Sequence, residues 1–130
     1  MAAAGGNGVM RGFGDLEAVI MDIMWRRDTP ATVRQVQQQL ASARPVAYTT
    51  VMTVMDNLFQ KGFLQRQMSG RAWSYKPSAS REQYTAQLMR DALEAAGDQS
   101  AALAHFVASM SESQSQMLRW LLRRRAPGGR

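Results

Sequence analysis

The amino-acid sequence predicts a mainly α-helical protein with one small β-hairpin. Apolar residues recur at helical spacing through most of the 130-residue chain, alternate only between residues 63 and 76, and return to helical spacing after residue 77. We therefore expect three helices, a hairpin and then helices only. The predicted boundaries are a disordered N-terminal arm at 1–12, a first domain at 13–78, a helical region at 79–125 and a flexible tail at 126–130.

Apolar spacing and capping signals predict the first two helices. Between Asp15 and Trp25 apolar residues recur every three or four positions, and Asp15 is placed as a cap or first-turn acid. Thr32 and Gln35 have the spacing of a capping box, in which each side chain bonds the backbone N–H of the other residue. A second helix should therefore begin here and end near Ser42.

The third helix is predicted within residues 47–64, and its polar face is unusual. One face is apolar, with Val51, Met55 and Leu58 at its centre. The other face carries Thr49, Thr50, Thr53, Asn57, Gln60 and Lys61. Hydroxyl and amide groups match base edges in DNA better than an ordinary face of Glu and Lys would. Lys61 is offset by Asp56, so the helix is nearly neutral.

A short hairpin is predicted after this helix, with strands at 63–68 and 72–76 joined by Ser69, Gly70 and Arg71. Helix, helix, recognition helix and hairpin follow one another in a winged helix-turn-helix domain, where the hairpin, or wing, lies against DNA beside the recognition helix. Trp25 and Trp73 are expected to cap the core of this domain. The sequence thus predicts a winged helix-turn-helix DNA-binding domain followed by an all-helical dimerisation region.

Two groups of residues are the candidate DNA contacts. Base-edge or phosphate contacts are expected from Thr49, Thr50, Thr53 and Asn57, for which a solvated helix face is the alternative. Because the recognition helix is nearly neutral, phosphate contacts must come from nearby cations, namely Arg71, Arg66, Lys76, Arg34 and Arg44. For Arg66 and Lys76, edge charges that discourage strand pairing are an equal alternative. Tyr48 either donates its hydroxyl to a phosphate or packs its ring under the second helix.

The helical region after residue 78 should form a two-fold dimer. Ser80 and Gln83 form a second capping box, for a helix running toward Ala96, and a Ser/Gln linker precedes the last amphipathic segment. Three short amphipathic helices make a poor core alone, so a second chain should cover their apolar stripes. The predicted interface is Leu103, Phe106, Val107, Met110, Leu118, Trp120, Leu121 and Leu122. The alternative is a monomer whose three helices fold onto the winged domain.

Composition limits the classes of function. The formal net charge is +6, with nine basic and five acidic residues in 1–78, which favours nucleic acid over a membrane surface as partner. Without cysteine there is no disulfide or thiolate metal site. One histidine and scattered carboxylates supply no nucleophile–base pair or metal cluster, so we expect no enzyme, no metal site and no cofactor. No signal peptide or membrane span is apparent, and we expect a cytoplasmic protein without membrane insertion.

Several segments resemble one family of regulators. They are Leu16 to Trp25 (LEAVIMDIMW), Ala47 to Val54 (AYTTVMTV), Lys61 to Leu64 (KGFL) and Gly70 to Ala72 with Tyr75. In order and spacing they are similar to the penicillinase repressors, which include the methicillin-resistance repressors, over about four fifths of the chain. The resemblance implies a repressor that dimerises through C-terminal helices, binds palindromic operators and controls β-lactamase or related genes. A winged-helix protein-interaction module without sequence-specific DNA binding is the alternative.

The resemblance also suggests an induction route. In that family a membrane sensor protease system leads to cleavage of an Asn-Phe bond in the dimerisation region, and the matching place here is His105-Phe106. Because His stands in place of Asn, cleavage at this site stays open. The spacing alone makes Phe106 a core residue of its helix. Copper-responsive relatives carry Cys pairs, and the absence of cysteine excludes that mode of sensing here.

Overall fold

The predicted order of elements is confirmed, with one strand added. A computed structural model describes residues 12–125, in six helices and one three-stranded antiparallel sheet. The elements are α1 (Asp15–Arg26), β1 (Ala31–Thr32), α2 (Val33–Ala41), α3 (Tyr48–Gln60), β2 (Leu64–Ser69), β3 (Ala72–Pro77), α4 (Arg81–Ala95), α5 (Gln99–Ala108) and α6 (Glu112–Arg124). The predicted arm, apart from Gly12, and the predicted tail lie outside the described residues.

Both predicted capping boxes are present. The Thr32 N–H donates to Gln35 Oε1 at 2.9 Å, and the Gln35 N–H donates back to Thr32 Oγ1 at 3.2 Å. Ser80 and Gln83 make the same reciprocal pair, at 2.8 and 3.0 Å. Each pair satisfies two backbone donors that a helix start leaves without partners. At the end of α3, Gly62 adopts a φ of +89°, which a residue with a side chain rarely takes.

The sheet has three strands rather than the predicted two. Ala31 and Thr32 pair with Tyr75 and Ser74 of β3, so β3 lies between β1 and β2. A two-residue strand is too short to show alternation, and that is why the sequence pattern missed it. Gly70 takes a φ of +67° in the turn that joins β2 to β3.

The core lies where α1, α2 and α3 meet the base of the sheet. Its fully buried side chains include the apolar centre of α3, as predicted, and are Ile20, Met21, Met24, Val36, Val51, Met55, Leu58, Leu64 and Tyr75. Burying each large aliphatic side chain stabilises the fold by about 1.5 to 3 kcal/mol. Trp25 packs against this core, but Trp73 is 40% exposed, so the expectation that Trp73 caps it is wrong. Trp73 instead lies nearer the turn of the hairpin than Tyr75, the buried residue of β3.

The chain divides into two compact units inside α4, between Ala86 and Gln87, which is later than the predicted boundary. The first turn of α4 belongs to the winged unit because it bonds to α1. Trp25 Nε1 donates to the Ala79 carbonyl at 3.0 Å, and Arg81 Nη2 donates to Asp22 Oδ1 at 2.5 Å. These bonds hold the start of α4, which the Ser80–Gln83 capping box predicted, against α1.

The second unit contains the rest of α4 with α5 and α6. The Ser/Gln stretch predicted as a linker is instead the start of α6, because Ser111 and Gln114 form a third capping box with bonds of 3.0 and 3.1 Å. No described residue of α4, α5 or α6 is buried. The second unit therefore has no core of its own within one chain.

An ion pair joins the end of α3 to the start of α1. Lys61 Nζ lies 2.9 and 3.0 Å from the two carboxylate oxygens of Glu17, which also accepts a bond from the Gly14 N–H at 2.8 Å. Burial raises the pKa of Glu17, but the Gly14 bond and Lys61 together outweigh it, so the pKa lies below its ordinary value of 4.5. A carboxyl group with a lowered pKa stabilises the fold above that value and loses its contribution as the pH falls.

We expect Glu17→Gln to lower the free energy of unfolding by about 1 kcal/mol at neutral pH, since glutamine keeps the Gly14 bond but loses the charge. The difference from wild type should disappear as the pH falls through the lowered pKa of Glu17. Urea unfolding of both proteins at neutral pH and at a pH below the lowered pKa of Glu17 measures this difference in the free energy of unfolding. Glu94→Gln, at an exposed position of α4, is the control. An equal loss at acid and neutral pH would contradict the role of the ion pair.

Candidate nucleic-acid interface

The exposed face of α3 carries the predicted polar side chains. Thr49, Thr50, Thr53, Asn57 and Gln60 are all exposed, while the opposite face packs into the core. In the described part of the chain these five side chains have no hydrogen-bond partner. Their hydroxyl and amide groups are therefore available to bases or phosphates.

One further residue of this face, Met52, was not predicted from the sequence. Met52 is 42% exposed and lies three residues after Thr49 and four before Asp56, at the edge of the polar face. Helical spacing alone places it there. It was overlooked because methionine was counted with the core residues. An apolar side chain at this position offers contact to a thymine methyl group.

Tyr48 stands at the first position of α3 with its ring exposed. The ring centroid lies 5.5 Å from Cζ of Arg34 on α2, which is a cation–π contact. The ring thus touches α2 at its surface and is not buried beneath it. Both alternatives for Tyr48, a phosphate contact through its hydroxyl and packing of its ring against the second helix, stay predictions.

Several of the predicted phosphate-binding cations are exposed. Arg71 follows Gly70 in the turn of the hairpin, Lys76 lies on β3, and Arg44 lies between α2 and α3. Together with Arg34, these side chains have no ion-pair partner in the part of the chain that the structure describes. Their charges are therefore not neutralised within the winged unit.

Arg66 differs from these cations. Its Nη1 lies 2.9 Å from Asp56 Oδ1 and donates to the Tyr75 hydroxyl at 3.4 Å, and its side chain is only 18% exposed. The bond to Tyr75 raises the pKa of Arg66, burial lowers it, and Asp56 raises it further, with a net rise. Arg66 is thus neither a free cation of the wing nor a solvated edge charge, which were the two expectations.

The charge balance of α3 is also arranged differently from the expectation. Asp56 pairs with Arg66 of the wing rather than with Lys61, and Lys61 pairs with Glu17 of α1. The helix is neutralised, but by partners from two other elements. Sequence spacing cannot show such pairs because they join residues distant along the chain.

The helices of the second unit present the predicted apolar stripes to solvent. Among the predicted interface residues, Leu103 is 47% exposed and Leu122 is 58% exposed, whereas Met110 and Leu118 are half-buried. Large exposed apolar patches of this kind mark interaction surfaces.

The comparisons with known proteins decide the family. The profile described as "Penicillinase repressor" matches residues 13–124. The chain belongs to the penicillinase repressor family. It is 43% identical to "Transcriptional regulator BlaI" of Mycobacterium tuberculosis over 109 residues, which cover 82% of this chain and 79% of that protein. It is therefore a transcriptional repressor of this family, and since its relatives are regulators it is not an enzyme, as expected.

Two solved structures show the same fold. The solution structure of the DNA binding domain of the repressor BlaI has a TM-score of 0.50 at 23% identity and covers 56% of this chain and 88% of that chain. The crystal structure of a probable transcriptional regulator from Pseudomonas aeruginosa has a TM-score of 0.51 at 20% identity and covers 95% of this chain and 86% of that chain. The winged helix-turn-helix fold predicted for this penicillinase repressor family member is confirmed.

The position matched to the family's cleaved bond lies within a helix. His105 and Phe106 are both exposed on α5, and both carbonyls accept a bond from the Ser109 N–H, at 3.2 and 3.1 Å. Phe106 is 49% exposed, so no core within one chain covers it. A protease would have to unfold this turn locally to reach the bond between them.

Among the described residues, no group of three His, Asp or Glu side chains comes together as a metal site. The described helices are also too short or too polar to cross a bilayer.

Proposed function

We propose that this repressor acts as a homodimer on inverted-repeat operators in double-stranded DNA. The observation that carries the proposal is the uncharged, unpartnered polar face of α3 beside cations that the winged unit does not neutralise. Hydroxyls and amides can read base edges, whereas Lys and Arg supply phosphate affinity without sequence preference. The two tasks therefore fall to different parts of one surface.

In this proposal the bases are read by Thr49, Thr50, Thr53, Asn57 and Met52. The phosphates are bound by Arg71, Lys76, Arg34, Arg44 and the hydroxyl of Tyr48. Arg66 leaves the set of direct contacts because Asp56 already neutralises it. The assignment is supported by exposure, and by the lack of hydrogen-bond and ion-pair partners for these side chains within the described residues.

The proposed dimer forms through the apolar stripes of α5 and α6. A second copy of the chain is the partner because the two identical stripes would cover each other about a two-fold axis, and three helices without a core need such a cover. Two recognition helices would then address half-sites about 34 to 36 Å apart, or a multiple of this spacing. Inverted-repeat operators match this symmetry.

The name of the matched family supports β-lactamase or related genes as targets. We further propose that a sensor protease in the membrane can release the repressor by cleavage at His105-Phe106. Cleavage within α5 would divide the dimer surface and remove the second DNA contact. Since a repressor works where its operator lies, the proposed location is the cytoplasm.

One observation favours the second candidate, a winged module that binds protein. Met68 and Trp73 face each other across the hairpin and are 54% and 40% exposed. An exposed apolar pair suits a protein contact better than a charged phosphate backbone. Absence of sequence-dependent and salt-dependent DNA binding would favour this candidate over the operator-binding dimer.

We expect Thr53→Ala to weaken binding to an operator selected from random duplexes by roughly fivefold to tenfold, because a bidentate base contact is worth about 1 to 3 kcal/mol and a single hydroxyl should give the lower end of that range. Binding to random duplexes should change little. Fluorescence anisotropy with both duplexes measures the ratio of the affinity for the operator to the affinity for random DNA. Equal weakening on both duplexes would contradict base reading by Thr53.

For Arg71→Ala we expect equal weakening on operator and random DNA, together with a decrease of about one in the slope of log affinity against log salt concentration. With one phosphate contact fewer, DNA binding releases about one counterion fewer. Arg90→Ala, at an exposed position of α4, removes the same charge away from the interface. An unchanged slope for Arg71→Ala, or the same decrease for Arg90→Ala, would argue against the assignment.

Leu121→Glu should shift the protein from dimer to monomer in sedimentation at micromolar concentration, because a charge placed in an apolar interface is left without solvent. Gln116→Glu adds the same charge on the polar face of α6 and should leave the dimer intact. The winged unit should stay folded in both variants. A wild-type protein that sediments only as monomer would refute the proposed dimer.

A further inference from the structure

Arg66 joins the hairpin to the recognition helix through four side chains. Its Cζ lies 3.9 Å from the ring centroid of Phe59 on α3 and 4.4 Å from that of Trp73 on β3. Its Nη1 donates to Asp56 on α3 at 2.9 Å and to the Tyr75 hydroxyl on β3 at 3.4 Å. One guanidinium thus contacts an aromatic ring and an oxygen atom on each of the two elements.

We propose that Arg66 is a positioning residue that fixes the hairpin against α3, rather than a residue that touches DNA. Held in this way, the hairpin keeps Arg71 and Lys76 at a constant distance from the bases that α3 reads. The proposal deepens the proposed DNA-binding function and rests on it for its effect on DNA. Its effect on the free protein does not depend on that function.

The hairpin needs such a contact because its outer half has little other support. Leu64 and Tyr75 are buried at its base, whereas in the described structure Gln67, Met68 and Ser69 of β2 are exposed. A two-stranded hairpin is marginally stable by itself. Arg66, opposite Tyr75 in the register, is the last side chain of β2 that is even partly buried. The contacts that Arg66 makes therefore fix the direction in which the hairpin leaves the core.

Arginine is suited to this place for a geometric reason. A planar guanidinium can stack on two rings with its faces while its edge donates to two oxygen atoms. Lysine carries the same charge as a compact ammonium group and cannot make both kinds of contact at once. The identity of the residue, and not only its charge, should therefore matter.

Arg66 has a second effect on the DNA-facing surface. Asp56 is adjacent to Met52 at the edge of the exposed face of α3, and its side chain is 46% exposed. A carboxylate left unpaired there would repel the phosphates of bound DNA. Arg66 neutralises this charge. Removing Arg66 alone would thus change both the hairpin and the local charge, and an experiment must separate the two.

The first test uses the free protein and needs no DNA. In Arg66→Met and Arg66→Lys we expect amide hydrogen exchange to rise at least several-fold in the hairpin, and the Trp73 indole resonance to shift, while the buried residues of α3 stay protected. Trp25 provides a control resonance in the same spectra. Unchanged exchange in the hairpin and an unchanged Trp73 resonance would overturn the proposal. Because lysine keeps the charge, wild-type behaviour of Arg66→Lys alone would also overturn the geometric argument.

The second test separates positioning from phosphate contact. The double variant Asp56→Asn with Arg66→Met keeps the net charge of +6 and removes the carboxylate that Arg66 would otherwise leave unpaired at position 56. We expect it to bind operator DNA roughly tenfold more weakly at one salt concentration, with the salt slope of the wild type, since no phosphate contact is lost. A decrease of about one in the slope would identify Arg66 as a phosphate contact and overturn the proposal.

The two tests distinguish failure of this proposal from failure of the proposed function. If wild type and Arg71→Ala both bind DNA without salt dependence, the proposed function fails, while the exchange measurements still decide the role of Arg66 in the hairpin. If salt-dependent operator binding is present and the double variant binds as wild type does, the positioning role fails alone.

Discussion

The winged unit depends on the burial of one face of α3. Val51, Met55 and Leu58 are 0% exposed and are packed in the same core as Ile20, Val36 and Leu64. Each such side chain contributes about 1.5 to 3 kcal/mol when it is fully buried. These contacts fix the rotation of α3 about its axis, and the rotation in turn determines which side chains reach solvent. A turn of the helix by one position would bury Thr hydroxyls and expose the apolar stripe.

Burial of α3 also explains how its charges are placed. Asp56 and Lys61 lie at the edges of the buried face, where each can reach another element, and they pair with Arg66 and Glu17. The exposed face between them is left with neutral polar groups. Binding to phosphate then requires cations from the hairpin and from α2. In the proposed function this separation makes affinity and sequence preference adjustable by different residues.

Much of this arrangement follows from local sequence, and the rest does not. The capping residues Thr32 and Ser80, the apolar face of α3 and the turn at Gly70 are each determined within a few residues of chain, so spacing predicts them. Strand β1 and the Asp56–Arg66 pair depend on contacts between distant elements. Trp73 was misplaced for the same reason, since its environment depends on how the hairpin leaves the core. The attachment of the first turn of α4 to α1 through Trp25 and Arg81 also joins distant parts of the chain.

The second unit suggests how occupancy of an operator can depend on an intact α5. No described residue of α4, α5 or α6 is fully buried, so in the proposed dimer its helices would gain most of their apolar burial from association. In the proposed dimer, association also converts binding of the second recognition helix into an intramolecular step, which raises overall affinity by orders of magnitude over one half-site. A change that removes contact area from α5 therefore acts twice, on the stability of the second unit and on two-site DNA binding. The winged unit, whose core lies entirely in the first part of the chain, would keep its fold and bind half-sites weakly.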